Sequence, residues 1–150
     1  MESFWLLNTL VQVKVATAAG SDGVSVLEHR VPFGDSPPLH IHQTEDEVFH
    51  ILEGEFRFQV AGEQQRWRAG TTLLVPKGTA HTYRVDSPAG GRFLTVTARG
   101  DFERFVRAIG RPAERIELPP PSGAPSPESI EALAAAAHQY GIELVGLPLE

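Results

Sequence analysis

The sequence contains no cysteine. Disulfides, zinc-thiolate sites, iron-sulfur clusters and thiol nucleophiles are therefore excluded within this chain, and any metal it binds must be held through nitrogen and oxygen. Basic charge is also in short supply: 13 Lys and Arg stand against 19 Asp and Glu, for a formal charge of -6, and no basic block is present. Nucleic acid and anionic membranes both reward clustered Lys and Arg, so neither is expected as a partner. A membrane-spanning run is missing as well. The apolar stretch from Phe4 to Val15 is broken by Asn8, Gln12 and Lys14, lacks a basic leader and is too short to cross a bilayer. These absences point to a cytoplasmic protein.

What is present is an ordinary globular composition over 150 residues, long enough for one domain that buries roughly two-thirds of the surface of its unfolded chain. From Trp5 to about Ala98, short apolar runs alternate with Gly, Pro, Asp and Ser. Leu10–Val15, Gly23–Val31, Glu47–Leu52, Glu55–Val60, Gln64–Arg68, Thr71–Val75, His81–Val85 and Phe93–Thr97 read as strands bounded by turns. Many short strands at this spacing imply a sandwich or barrel. Phe56, Phe58 and Val60 alternate with Glu55, Arg57 and Gln59, so this arm should show one face to the core and one to water.

After Gly100 the pattern changes. Asp101 is placed to cap a helix running to about Ile109, with Phe102, Phe105, Val106 and Ile109 on one stripe and Gly110 as its stop. Residues 118–126, LPPPSGAPS, form a linker that continues neither helix nor central strand. Ser126 and Pro127 then suit the cap and first position of a second helix, whose stripe of Ile130, Leu133, Ala134, Ala137 and Tyr140 ends at Gly141. The expected organisation is a β-barrel over residues 1–100 and a C-terminal helical extension over 101–150, with a Pro-rich linker, in the same domain.

Only six histidines are present, and three of them stand in the stretch HIHQTEDEVFHILEG. His40 and His42 are two apart, so on an extended strand both imidazoles project from one face. Glu47 opens the following strand, and His81 comes after a second cluster of Gly and Pro. Three neutral imidazoles and a carboxylate suit one divalent first-row metal: iron, manganese, nickel, cobalt or zinc. Glu45 and Asp46 are rivals to Glu47 by residue type and read as exposed loop carboxylates. His50 is three beyond Glu47 and so faces the other side of its strand; His29 and His138 read as solvated or structurally satisfied. Gly54 suits a tight turn or bulge, and Pro76-Lys77-Gly78 reads as a turn with Pro second and Gly fourth.

The spacings are more specific than their parts. Gly34, His40, His42, Glu47 and Gly54 follow G-x5-H-x-H-x4-E-x6-G, and Gly70, Pro76, Gly78 and His81 follow G-x5-P-x-G-x2-H. The chain thereby resembles the cupin family over about residues 20–98. That resemblance implies a mainly β fold, a jelly-roll β-barrel, here with C-terminal α-helices packed on it. It implies that His40, His42, Glu47 and His81 are metal ligands. The family's second motif usually closes with Asn where this chain has Val85, which bears on local turn hydrogen bonding and not on a ligand.

Strand parity places Phe49 and Ile51 with Glu47, and Tyr83 and Val85 with His81, so these four are expected in the interior as the wall of a substrate pocket. An apolar, aromatic lining favours a planar or apolar small molecule. Arg57, Arg66 and Arg68 read as a solvated face. The sequence is further similar to single-domain cupins grouped with quercetin-type dioxygenases, through the stretch HIHQTEDEVFHILEGEFRFQVAGE and the later DFERFVRAIG and AHQYGIELVG segments. This implies a metal-dependent dioxygenase acting on a hydroxylated aromatic or flavonol-like small molecule, with Glu47 also serving as base. A metal-dependent cyclase or isomerase of an aromatic or polyketide intermediate, and a non-catalytic metabolite-binding cupin, are the alternatives. Jelly-roll edges and faces are often covered by a second copy, so a homodimer is expected.

Overall fold

Alternation along the strands sets which side chains are interior. On Glu47–Glu53, residues Glu47, Phe49 and Ile51 are buried while Val48 and His50 are partly exposed; on Glu55–Val60, Phe56 and Phe58 are buried around a half-exposed Arg57. The computed structural model describes residues 1–150. In chain order its strands are β1 Ser3–Leu6, β2 Thr9–Val15, β3 Ser25–Val31, β4 His40–His42, β5 Glu47–Glu53, β6 Glu55–Val60, β7 Glu63–Arg68, β8 Thr72–Val75, β9 His81–Val85, β10 Gly91–Thr97, β11 Arg111–Pro112 and β12 Ile142–Leu144, with helices α1 Asp101–Ile109 and α2 Pro127–His138.

The strands form a seven-stranded sheet, ordered β11-β1-β2-β3-β10-β5-β8, and a five-stranded sheet, ordered β12-β4-β9-β6-β7. All pairings are antiparallel. The fold is a mainly β jelly roll, but the two sheets keep separate edges and do not close into the barrel expected from the sequence. Between them lies an aromatic core of Phe49, Ile51, Phe56, Phe58, Tyr83, Val85 and Phe93. Each such side chain contributes about 1.5–3 kcal/mol by leaving water. A second core joins Phe4, Val11, Val13 and Leu27 to Phe105 and Val106 of α1, Ala137 of α2 and Ile142 of β12. The helices therefore cover, over β1 to β3, the same face of the seven-stranded sheet that carries Phe93 and Ile51 further along, and the first five residues of β2 are all buried.

Residues beyond Gly100 add strands as well as helices: β11 pairs with β1, and β12 pairs with β4. Gly54, at the β5–β6 turn, has φ +93°, and a Cβ there would lie 2.7 Å from the Gly90 carbonyl oxygen. No other residue fits that approach without displacing backbone. The turn before β9 is offset by one from the expected register. Thr79 N–H donates to the Pro76 carbonyl at 3.2 Å, which makes Pro76 the first residue of the turn and Gly78, at φ +82°, the third. Val85, where the family usually has Asn, engages the chain through its backbone, donating to the Asp35 carbonyl at 3.0 Å and accepting from Gly34 N–H at 2.9 Å.

Candidate metal centre

Strand β4 is held on both sides. His40 pairs with His81 of β9, while His40, Ile41 and His42 pair with Leu144, Glu143 and Ile142 of β12. This brings three imidazoles together, with ring centroids 4.4 Å apart for His40 and His81, 5.2 Å for His40 and His42, and 5.4 Å for His42 and His81. One ring nitrogen from each lies within 4.8 Å of the others. Glu47 arrives from the facing sheet, with Oε1 3.1 Å from His81 Nε2 and 3.7 Å from His42 Nε2. His42, Glu47 and His81 are almost sealed from solvent, and His40 is half-buried.

Hydrogen bonds orient the rings. His40 Nδ1 lies 2.7 Å from the Pro38 carbonyl and His81 Nδ1 lies 3.0 Å from the Thr79 carbonyl. A carbonyl only accepts, so each Nδ1 carries the proton and each Nε2 is left with its lone pair. In His81 that lone pair points at the Glu47 carboxylate, itself an acceptor. Two buried acceptors 3.1 Å apart repel unless a cation lies between them. A proton on Nε2 is one solution and a metal ion is the other, so the donor set fits a nitrogen- and oxygen-bound divalent metal with the second shell such sites use.

The charge states agree with this. Burial lowers His40, and the neighbouring His81 and His42 lower it further, to about 3. Burial also lowers His42. Burial opposes a charge on His81 too, but the hydrogen bond and charge of Glu47 outweigh it and raise that imidazole above its ordinary value. For Glu47, burial works against ionisation, yet His42 and His81 beside it hold the carboxyl down at about 2. At neutral pH the centre therefore offers an ionised carboxylate and at least two neutral imidazoles.

Of the expected pocket residues, Phe49 sets its ring 6.1 Å from His81, edge to face. Tyr83 packs against Phe56, Phe58 and Phe93, while Ile51 and Val85 are sealed within the same core and so back the site from below. Asp46 is exposed, and its carboxylate accepts from Lys77 N–H. Glu45 is not the exposed loop carboxylate expected from the sequence: it is 2% exposed, and its oxygens accept from the N–H groups of Arg99, Gly100 and Phe102 at 2.8–3.0 Å. Through Phe102 it satisfies one orphan donor of α1. Asp101, expected as the cap, is instead the first helical residue after Gly100, and its carboxylate accepts from Thr44 Oγ1 at 2.6 Å. His50 bonds Thr72 on the outer side of its sheet, and His138 is exposed beside Glu143.

Two neighbours escaped the sequence reading. Phe102 of α1 sets its ring 5.3 Å from His42, edge to face, and also stacks on His29 at 5.8 Å. His29 shares parity on β3 with Leu27 and Val31, which was the available signal that it points inward.

Residues 27–97 match the family described as Cupin domain. This stretch is a cupin domain. All four clustered residues lie inside it, whereas α1, α2 and β12 lie outside. The chain is 32% identical over 87 residues to a quercetin 2,3-dioxygenase of Bacillus subtilis, an alignment covering 58% of this chain and 26% of that protein. It therefore spans about a quarter of that relative's length. Among solved structures it is similar to a predicted oxalate decarboxylase of Thermotoga maritima, at TM-score 0.58 and 24% identity over 61% of this chain and 80% of that one. It is also similar to KdgF from a Halomonas species, at TM-score 0.56 and 17% identity over 64% and 84% of the two chains. These likenesses are of fold.

Proposed function

We propose that this cupin is a metal-dependent dioxygenase acting on a hydroxylated aromatic or flavonol-like small molecule, with His40, His42, Glu47 and His81 holding one divalent first-row metal. The observation that carries the reading is the convergence of three imidazoles, one ring nitrogen of each within 4.8 Å of the others, with Glu47 Oε1 3.1 Å from His81 Nε2. The likeness to a quercetin dioxygenase over 58% of the chain supports the reaction class. A metal bound here would supply Lewis acidity toward a substrate hydroxyl and, for a redox-active ion, a route for electrons to oxygen. The protein's own part is to bind, orient and move a proton. Glu47, ionised at neutral pH, accepts the hydroxyl proton at short range; Phe49 presents an apolar ring edge beside His81; and the sealed core beneath keeps bulk water from that side.

The test has three readings on one sample. Elemental analysis should find about one iron, manganese, nickel, cobalt or zinc per chain. Anaerobic addition of a flavonol should shift its absorption toward that of the anion. Admitting oxygen should then consume the flavonol in redox-active forms, while the zinc form gives the shift with little or no turnover. Binding without oxygen uptake in any form would rule out the dioxygenase and leave the cyclase, isomerase or binding-protein alternatives.

A further inference from the structure

His29 is buried in the interior, yet it does not belong to the metal cluster. Its Nε2 lies 3.0 Å from the hydroxyl of Thr95 on β10, itself 2% exposed. Phe93 stacks on the ring at 4.6 Å and Phe102 at 5.8 Å, each inclined by 12°. Nδ1 has no partner in the protein, and it is not among polar atoms sealed without one, so it borders a solvent-sized space. Burial lowers this imidazole to about 4, which leaves it neutral, with one donor and one acceptor nitrogen.

Stacking alone does not call for histidine here. A phenylalanine would stack on Phe93 and Phe102 without the cost of placing two ring nitrogens in an apolar interior. The nitrogens need a use, and Thr95 accounts for only one. Phe102 touches both His29 and His42, so a single aromatic ring links the His29 ring to the histidine cluster.

We propose that His29 contacts the substrate: its open nitrogen hydrogen-bonds a second hydroxyl of the planar ligand whose first hydroxyl is held at the His40–His42–Glu47–His81 centre, and Thr95 fixes the ring for that contact. This rests on the metal-centre reading and adds to it a preference for polyhydroxylated aromatics over those with a single chelating group.

The probes are quercetin and 3-hydroxyflavone, which share the chelating 3-hydroxyl and 4-carbonyl; only quercetin carries further hydroxyls. Zinc-loaded protein is titrated with each under anaerobic conditions, after elemental analysis of every sample. His29→Phe, which keeps the stacked ring, should retain the wild-type metal content and its affinity for 3-hydroxyflavone, while its Kd for quercetin rises about tenfold, or about 1.4 kcal/mol. His29→Gln should recover part of that loss. Thr95→Val should show a smaller loss confined to quercetin, and it carries the test if His29→Phe does not fold. Unchanged quercetin affinity in both His29→Phe and Thr95→Val would overturn the proposal, as would equal losses for both flavonols, loss of metal from His29→Phe, or metal-loaded wild type that binds neither compound. Wild-type protein that takes up no metal would overturn the centre itself, a failure visible at the elemental analysis before any flavonol is added.

Discussion

Glu45 takes hydrogen bonds from the backbone N–H groups of Arg99, Gly100 and Phe102 around the start of α1, whereas Glu47, two positions on, faces His42 and His81. Glu47→Gln should cut metal affinity by roughly 10- to 100-fold or more, because it removes the charge that opposes the imidazole lone pairs. Glu45→Gln should keep most of the metal and lower unfolding free energy by about 1–3 kcal/mol. Metal content and denaturant midpoints of the two variants check both statements, and equal metal loss would show that the wrong carboxylate was chosen. The sequence favoured Glu47 by spacing, but both residues are equally acidic and neither carries a local sign of burial. Glu45's role depends on a helix more than fifty positions away and could not be read locally. Asp35 is a third case. Burial raises its carboxyl to about 6, and no side-chain partner compensates. Between pH 3.8 and about 6 the folded state holds a proton that the unfolded chain has released, so this group's contribution falls as pH rises through that window. Asp35→Asn should therefore stabilise the protein at pH 8, by about 1–3 kcal/mol, and have little effect near pH 4; urea unfolding at the two pH values measures the difference.

Among the elements, long strands with strict alternation, such as β5 and β6, are legible because their period is their burial pattern. Strands β4 and β12 have three residues each, too few to display a period, and β11 has two. They exist because partners pair with them. The link between β12 and the metal strand is tight: Gln43 N–H donates to the Gly141 carbonyl, Val145 N–H donates to the Leu39 carbonyl, and a Cβ at Gly141, φ +73°, would lie 2.8 Å from the Thr44 side chain. Gly141→Val should cost about 1–3 kcal/mol through the left-handed backbone alone, and it should loosen metal binding although it alters no ligand. Calorimetric titration of metal into the variant checks this. Affinity equal to wild type would mean that β9 suffices to hold β4. The start of helix α2 was legible, since its cap, Ser126, and first residue, Pro127, act locally, but the helix ends at His138 and not at Gly141, leaving Tyr140 outside it.

Over the whole molecule, burial holds His29 at about 4 and His40 at about 3, both below their unfolded value of 6.5. As pH drops from about 6.5 toward 3, the unfolded chain takes up protons that these folded imidazoles refuse, so metal-free protein loses stability over this range. Asp35 offsets part of the loss between about 6 and 3.8. Thermal unfolding of the metal-free form should show a midpoint falling from pH 7 to pH 4.5; a flat or rising midpoint would contradict the burial of these two rings. At pH 7, metal at a hundredfold excess over its Kd should add about 2.7 kcal/mol, and a chelator should remove it. The grouping of His40, His42, Glu47 and His81 and the jelly-roll class were visible in the sequence through two short motifs and the family resemblance they carry. That the sheets remain open was not, since closure depends on which edges meet.

The pairing of β12 with β4 also sets an order of events. A chain is made from its N-terminus, and folding can begin before synthesis ends. His40, His42, Glu47 and His81 all emerge early, but the outer edge of the strand carrying two of them stays bare until residues 142–144 arrive. A nascent chain halted short of that point would display the ligands and hold them loosely. Firm capture of an ion at this centre would therefore wait for the synthesis of residues 142–144.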